Sequence, residues 1–155
     1  MQKKLIIFIP SIEGGGVEKN LFIISNYLKD KVKNISVITV SNKFKNKFIG
    51  KIEFISPKAD FWNTIGRGKK FFVGLFLLFL EILKNRNVLV FSFQGNVYCT
   101  LLCKLLGIRV IVRSNSAPNG WSQNKFKYFV FKYVLNSADK VIVNSLDFKR
   151  KFKTK

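Results

Sequence analysis

Short apolar runs of strand type alternate with longer segments of helical periodicity along the chain. The runs are KKLIIFIP (3–10), ISVITVS (35–41), KIEFIS (51–56), VLVFSF (88–93), IRVIVRS (108–114) and KVIVNS (140–145). Apolar residues at helical spacing fill residues 17–29, 67–86, 97–107 and 123–136. Strands that are nearly continuous Val, Ile, Leu and Phe are typical of a parallel sheet buried on both faces. The sequence therefore predicts an α/β fold with a doubly wound, Rossmann-like parallel sheet.

One domain accounts for the chain, because 155 residues with 48% hydrophobic side chains suffice for a single sizeable core. Neither an internal repeat nor a domain linker is evident. Cys99 and Cys103 lie in a helix-like segment, and the chain has no His to complete a metal site with them. We predict that both are buried core thiols, with a disulfide as the alternative.

Three consecutive glycines, Gly14, Gly15 and Gly16, separate the first apolar run from the first helical segment in IPSIEGGGVEKNLFIISNYL. Missing side chains let a ligand approach the backbone, and the free N–H groups of a helix start favour a phosphate or carboxylate. The spacing departs from the G-x-G-x-x-G pattern of dinucleotide-binding turns, and no Gly-Lys-Ser/Thr sequence follows as in a P-loop. We interpret the turn as an anion site, with a purely structural tight turn as the alternative.

Ligands of doubly wound sheets bind beyond the carboxyl ends of the strands. This rule selects residues 10–18, 41–50, 93–96, 113–121 and 144–147. Gln94 and Gly95 follow the fourth predicted strand, and Arg113 and Asn115 lie at the end of the fifth. Arg offers a fork for a phosphate or for sugar hydroxyls, and Asn offers both a donor and an acceptor. The alternative is that Arg113 is simply one of the many basic residues on a solvated surface.

The chain carries 28 Lys and Arg against 8 Asp and Glu, a formal charge of +20. Such a charge attracts anionic lipid headgroups, phosphorylated substrates or nucleic acid. Nucleic acid is the least favoured partner, because the aromatic residues fall in apolar runs typical of a core. The most apolar segment, FFVGLFLLFLEIL (71–83), is shorter than a membrane span and is bracketed by basic residues. It is expected to pack in the core or, as the alternative, to lie on an anionic membrane surface.

Three segments, in their order and spacing, carry a resemblance to a known family. They are GGGVEKNLFIISNYL (14–28), VIVRSNSAPNGW (110–121) and ADKVIVNSLDFKRKF (138–152). The first is similar to the Gly-Gly-x-Glu turn and amphipathic first helix of glycosyltransferases of family 4. The second resembles the loop after the fifth strand in members that act in surface polysaccharide assembly. The third resembles the Ala-Asp-x-Val-Ile-x-x-Ser segment of the same members.

The resemblance implies the GT-B fold, in which two Rossmann-like domains face a cleft, with the acceptor mostly on the first domain and the nucleotide-sugar mostly on the second. Residues 1–155 are then expected to form the acceptor-side domain of a retaining transferase acting on a lipid-linked or saccharide acceptor. Gly14–Gly16 would present N–H groups to the donor diphosphate or the acceptor. Glu18 would cap or orient the turn, or contact the acceptor. The nucleotide-sugar is a substrate, and no metal or other cofactor is expected.

Two departures from the family restrict what the resemblance implies. Many members place a histidine after the fifth strand, where this chain has Arg113, Ser114 and Asn115, so no catalytic residue is assigned. The Glu-x7-Glu motif of the donor domain has no counterpart here, so that domain is expected in a longer polypeptide or in a partner. The alternative is a non-catalytic split subunit, or a truncated remnant, that binds acceptor lipid or a membrane surface. We expect a cytoplasmic location, with peripheral attachment to the inner face of the cell membrane.

Overall fold

The computed structural model describes residues 3–114, 124–146 and 149–150. Its strands are β1 Lys4–Phe8, β2 Ile35–Ile38, β3 Ile52–Ile55, β4 Val88–Ser92, β5 Arg109–Ser114 and β6 Lys140–Val143. Its helices are α1 Gly16–Leu28, α2 Phe61–Thr64, α3 Arg67–Lys84, α4 Asn96–Leu105 and α5 Lys125–Asn136. The predicted alternation of strands and helices is confirmed.

The strands of the described residues form one parallel sheet in the order β3-β2-β1-β4-β5-β6. β1 lies in the interior of the sheet, hydrogen-bonded to β2 on one side and to β4 on the other. This is the strand order of the Rossmann fold, so the predicted doubly wound α/β class is confirmed. The order reverses at β1 and β4, which creates a crevice at the carboxyl ends of these two strands.

Apolar side chains cover both faces of the sheet. On one face Leu78 of α3 and Leu135 of α5 belong to a core cluster that also includes residues of α4. On the other face Leu21 of α1 packs into a second cluster. Cys99 and Cys103 are free and buried in the first cluster, so the prediction of core thiols is confirmed. Successive strand residues point to opposite faces, which explains why the strands are apolar throughout.

Several element boundaries differ from the sequence prediction. β2 ends at Ile38 rather than at Ser41. Beyond this end, the N–H of Val40 still donates to the carbonyl oxygen of Pro10 at 3.1 Å. α2 and a 3-10 turn at Lys45–Lys47 were not predicted, because segments of four and three residues show no hydrophobic period. Among the described residues, no helix has the length and apolar character needed to cross a membrane.

α3 packs closely against the end of β1 at Gly74. A Cβ at this position would lie 2.8 Å from Pro10 Cβ and 3.4 Å from the ring of Phe8. Leu78 and Ile82, one and two turns further along the same side of α3, are fully buried. Core packing of segment 71–83 is therefore confirmed for this side of the helix. An added methyl group at Gly74 would force α3 away from the sheet.

Alanine at Gly74 is expected to destabilise the domain, whereas alanine at Gly68 of the same helix is not. Gly74→Ala overpacks the contact with Pro10 and should lower the free energy of unfolding by about 1 to 3 kcal/mol. At Gly68 a Cβ meets nothing within 4 Å, so Gly68→Ala should be neutral or stabilising by up to about 1 kcal/mol. Urea unfolding of both variants measures the difference, and equal stabilities would contradict the close approach at Gly74.

Candidate functional site

The N-termini of α1 and α4 flank the crevice between β1 and β4. α1 follows β1, α4 follows β4, and the two helices pack on opposite faces of the sheet. The first N–H groups of a helix have no acceptor within it, and they carry partial positive charge. Both helix starts therefore present donors at the edge where doubly wound sheets bind ligands.

The three predicted glycines take different places in the turn before α1. Gly14 has φ +91°, Gly15 is the N-cap and Gly16 is the first helical residue. A Cβ at Gly15 would lie 3.0 Å from Oε2 of Glu18, whereas a Cβ at Gly16 would meet nothing within 4 Å. The fold thus accounts for Gly14 through its left-handed backbone and for Gly15 through the Glu18 carboxylate. It does not account for Gly16.

Glu18 of α1 and Gln94 of the β4–α4 loop meet across the crevice. Gln94 Nε2 donates to Glu18 Oε1 at 3.2 Å, and the two residues are only 9% and 5% exposed. A carboxylate only accepts hydrogen bonds, so the amide nitrogen of Gln94 must face Glu18 and the amide oxygen must face elsewhere. That oxygen, Oε1, is buried without a hydrogen-bond partner among the described residues. The contact therefore leaves a buried acceptor in the crevice that the described residues do not pair.

Gly95 has an explanation in the fold itself. It is the N-cap of α4 and has φ +67°, a left-handed conformation that favours glycine. A Cβ there would lie 2.1 Å from the ring of Phe71 in α3, a separation that atoms cannot adopt. Because the packing of α3 beside α4 already requires glycine, Gly95 is not by itself an indication of a ligand.

Arg113, at the end of β5, is only 8% exposed, so the interpretation as a solvated surface cation is wrong. Its Nη2 donates to Asn144 Oδ1 at 3.2 Å, and its guanidinium carbon lies 5.7 Å from the centroid of the Phe93 ring. Burial lowers the pKa of the Arg113 guanidinium, but arginine stays protonated in proteins. Its Nη1 is buried without a hydrogen-bond partner among the described residues. The crevice edge thus contains a charged donor to which none of the described residues offers an acceptor.

Asn96, which the sequence analysis did not single out, ties the β4–α4 loop to the end of β5. Its Nδ2 donates to the carbonyl oxygen of Arg113 at 2.7 Å, and its Oδ1 accepts from Ser92 Oγ at 2.9 Å. Asn144, the partner of the Arg113 guanidinium, was not singled out either. Both asparagines lie in loops selected by the strand-end rule, which is the signal that could have found them.

The structure joins Glu18 and Gln94 by a hydrogen bond and places Arg113 beside the ring of Phe93, which precedes Gln94. At Gly15 an added Cβ would come close to the Glu18 carboxylate. The predicted residue Asn115 lies outside the described residues. The N–H groups of the helix starts and the Arg113 guanidinium suit a phosphate, whereas the side-chain oxygens of Glu18 and Gln94 suit hydroxyl groups. Within the described part of the chain, no group of three His, Cys, Asp or Glu residues could hold a metal ion.

Comparison with solved structures shows a similarity of fold. No family model matches the chain, and no curated protein matches it. A crystal structure of a ugt transferase from Siraitia grosvenorii in complex with UDP is similar over 75% of this chain, with 16% identity and a TM-score of 0.44. The match covers 29% of that chain, so this chain spans less than a third of its length. The fold class rests on the observed strand order rather than on this likeness.

Alanine substitutions in the glycine turn separate a structural requirement from a ligand requirement. Gly14→Ala should lower the free energy of unfolding by about 1 kcal/mol, because a positive φ is unfavourable for Ala. Gly16→Ala should raise it by up to about 1 kcal/mol, because glycine is the poorer helix former. If the turn binds an anion, Gly16→Ala also weakens binding of pyrophosphate, measured by calorimetric titration. A more stable Gly16→Ala chain with unchanged pyrophosphate binding would support the purely structural turn.

Proposed function

We propose that residues 1–155 form the acceptor-side domain of a retaining glycosyltransferase of GT-B type. The enzyme transfers a sugar from a nucleotide-sugar to a lipid-linked or saccharide acceptor in surface polysaccharide assembly. One observation carries the proposal: the buried cationic donor of Arg113, which has no partner among the described residues, and the buried Glu18–Gln94 hydrogen bond lie at the same crevice edge. The resemblance of three sequence segments to family 4 supports the class of reaction.

Positive charge favours a phosphate ligand at this edge. The N-termini of α1 and α4 contribute partial charges, and the guanidinium of Arg113 contributes a full one. Away from bulk water these interactions are stronger than at an exposed surface. A diphosphate is the anionic group that nucleotide-sugar donors share with lipid diphosphate acceptors, and it matches this set of donors.

Glu18 and Gln94 distinguish the proposed ligand from a bare polyphosphate. The carboxylate of Glu18 repels a polyanion and accepts hydrogen bonds from hydroxyl groups. The buried oxygen of Gln94 is a second acceptor, and leaving such a group unpaired costs about 1 to 3 kcal/mol. A molecule with sugar hydroxyls next to a diphosphate satisfies both acceptors and the cationic donors at once.

The proposed transfer needs no histidine in this domain. The acceptor hydroxyl oxygen forms a bond to the anomeric carbon as the bond from that carbon to the diphosphate oxygen breaks. The hydroxyl proton passes to the leaving diphosphate, and reaction on one face of the sugar retains its configuration. Positive groups aimed at the diphosphate stabilise the negative charge that develops on it.

The donor half of the proposed enzyme is a second Rossmann-like domain, joined to this one or supplied by a separate partner. That domain would hold the nucleotide. On this proposal residues 1–155 bind diphosphate and acceptor but do not complete the transfer alone, because the cleft has only one of its two walls.

Arg113→Ala is expected to weaken diphosphate binding by the 155-residue chain about 10- to 100-fold, the usual contribution of a hydrogen bond to a charged group. Geranyl diphosphate is a suitable probe, and calorimetric titration gives the dissociation constant. Arg109→Ala is the matched control. Arg109 is exposed at the start of the same strand, so its substitution removes an equal charge from the opposite edge of the sheet. Equal binding by the two variants would overturn the assignment of Arg113.

Transfer is tested separately in the protein as its native cell makes it, with the donor half present. Sugar incorporated from a radiolabelled nucleotide-sugar into extracted lipid or saccharide should fall sharply in Arg113→Ala and stay unchanged in Arg109→Ala. Diphosphate binding with no transfer, even with the donor-binding partner present, would instead favour the non-catalytic acceptor-binding subunit.

A further inference from the structure

Exposed apolar side chains concentrate on the outer surface of α3, α4 and α5, which we call the three-helix face. Along each helix they recur at spacings of three and four residues, so each helix carries one continuous stripe. They are Phe72, Phe76, Leu80 and Leu83 on α3, Tyr98, Leu101 and Leu105 on α4, and Phe126, Phe129, Val130 and Tyr133 on α5. Two of the phenylalanines, Phe72 and Phe126, are 78% and 76% exposed.

The three stripes lie on one side of the domain. α3, α4 and α5 pack on the same core cluster, and α4 contacts α3 on one side and α5 on the other. A groove of about 260 Å³ opens between α3 and α4, lined by Gly68, Phe71, Phe72, Leu75 and Tyr98. Monomeric soluble proteins rarely leave contiguous apolar surface of this extent without a partner.

The charge of the three-helix face is positive. Glu81 is the one acidic residue within α3, α4 and α5. It is buried, and its carboxylate pairs with Lys4 at 3.4 Å and with Lys84 at 3.1 Å. Within these described helices, no exposed carboxylate therefore offsets the exposed lysines and arginines.

Exposed cations occupy the first turns of two of these helices. α3 begins with Arg67 and Lys69, and α5 begins with Lys125 and Lys127. Cations in a first turn oppose the helix dipole, so these residues do not serve helix stability. Each helix leads from the carboxyl end of one parallel strand to the start of the next, so both helices begin at the edge that holds the crevice. The cations therefore lie where the apolar stripes meet that edge.

We propose that the three-helix face docks on an anionic lipid bilayer. Its aromatic and leucine side chains enter the boundary between headgroups and acyl chains, and its first-turn cations contact lipid phosphates, as in interfacial helices. Docking of a second copy through the same face is disfavoured, because it would bring like charges together. The proposal does not depend on the transfer reaction, since binding to vesicles requires neither donor nor acceptor sugar.

Vesicle sedimentation tests the apolar contribution. The 155-residue chain should bind vesicles of phosphatidylcholine with phosphatidylglycerol and bind pure phosphatidylcholine weakly. Replacing Phe72, Phe76, Phe126 and Phe129 by Ser should reduce binding at least about tenfold, since each ring contributes buried apolar area. The control replaces Ile23 and Tyr27, which are 67% and 64% exposed on α1 on the other face of the sheet, and should retain binding.

A second pair of variants tests the charges. Each basic residue near an anionic surface contributes a factor of about five in binding, so Arg67→Gln with Lys69→Gln should weaken it about 25-fold. Lys31→Gln with Lys33→Gln removes equal charge from the opposite edge of the sheet and should change binding little. Circular dichroism confirms that each variant is folded.

Two results would overturn the proposal. One is equal binding to vesicles with and without phosphatidylglycerol, or none to either. The other is that the control variants lose as much vesicle binding as the variants of the three-helix face. Binding would then depend on the net charge of the chain rather than on this face. A dimer that is lost in the phenylalanine variants, without vesicle binding by the unaltered chain, would assign the face to a second copy instead.

Discussion

The position of β1 between β2 and β4 is the constraint on which the rest of the structure depends. The chain first builds one half of the sheet on one side of β1, then returns through α3 to place β4 on the other side. That return brings α3 against the end of β1, where Gly74 leaves room for Pro10. Because β1 and β4 send their following helices to opposite faces, a crevice opens between their carboxyl ends. The crevice is thus a consequence of strand order.

The fold holds the groups around the crevice in place, but the described residues do not supply hydrogen-bond partners for all of them. Asn96 fixes the backbone of Arg113, and the Phe93 ring and Asn144 hold its guanidinium. Among the described residues, neither Nη1 of the guanidinium nor the Gln94 side-chain oxygen has a hydrogen-bond partner. Buried polar groups without partners lower the stability of a folded chain. Departures of this kind from an otherwise consistent structure are typical of functional sites, which is why the crevice is the proposed site.

The crevice and the three-helix face share one edge of the domain. A lipid-linked acceptor carries its diphosphate in the headgroup layer, and docking through the three-helix face would hold the cationic edge of the domain against that layer. The two proposals rest on different residues and different measurements. Taken together, the two proposals would give the charge of +20 a specific use, because cations near the bilayer would also lie near the proposed phosphate site.

By itself the sequence determined the fold class and the edge of the sheet at which the proposed site lies. Both follow from local properties, namely the spacing of apolar residues and the positions at which strands end. It therefore pointed to Gln94 and Arg113. It did not reveal that Gln94 bonds to Glu18, because these residues are 76 positions apart and meet only when β4 pairs with β1. It also marked Gly95 as a site residue, whereas the ring of Phe71 explains that glycine. The tertiary structure alone decided which helix sides stay exposed, since that depends on how separate helices share one face of the sheet.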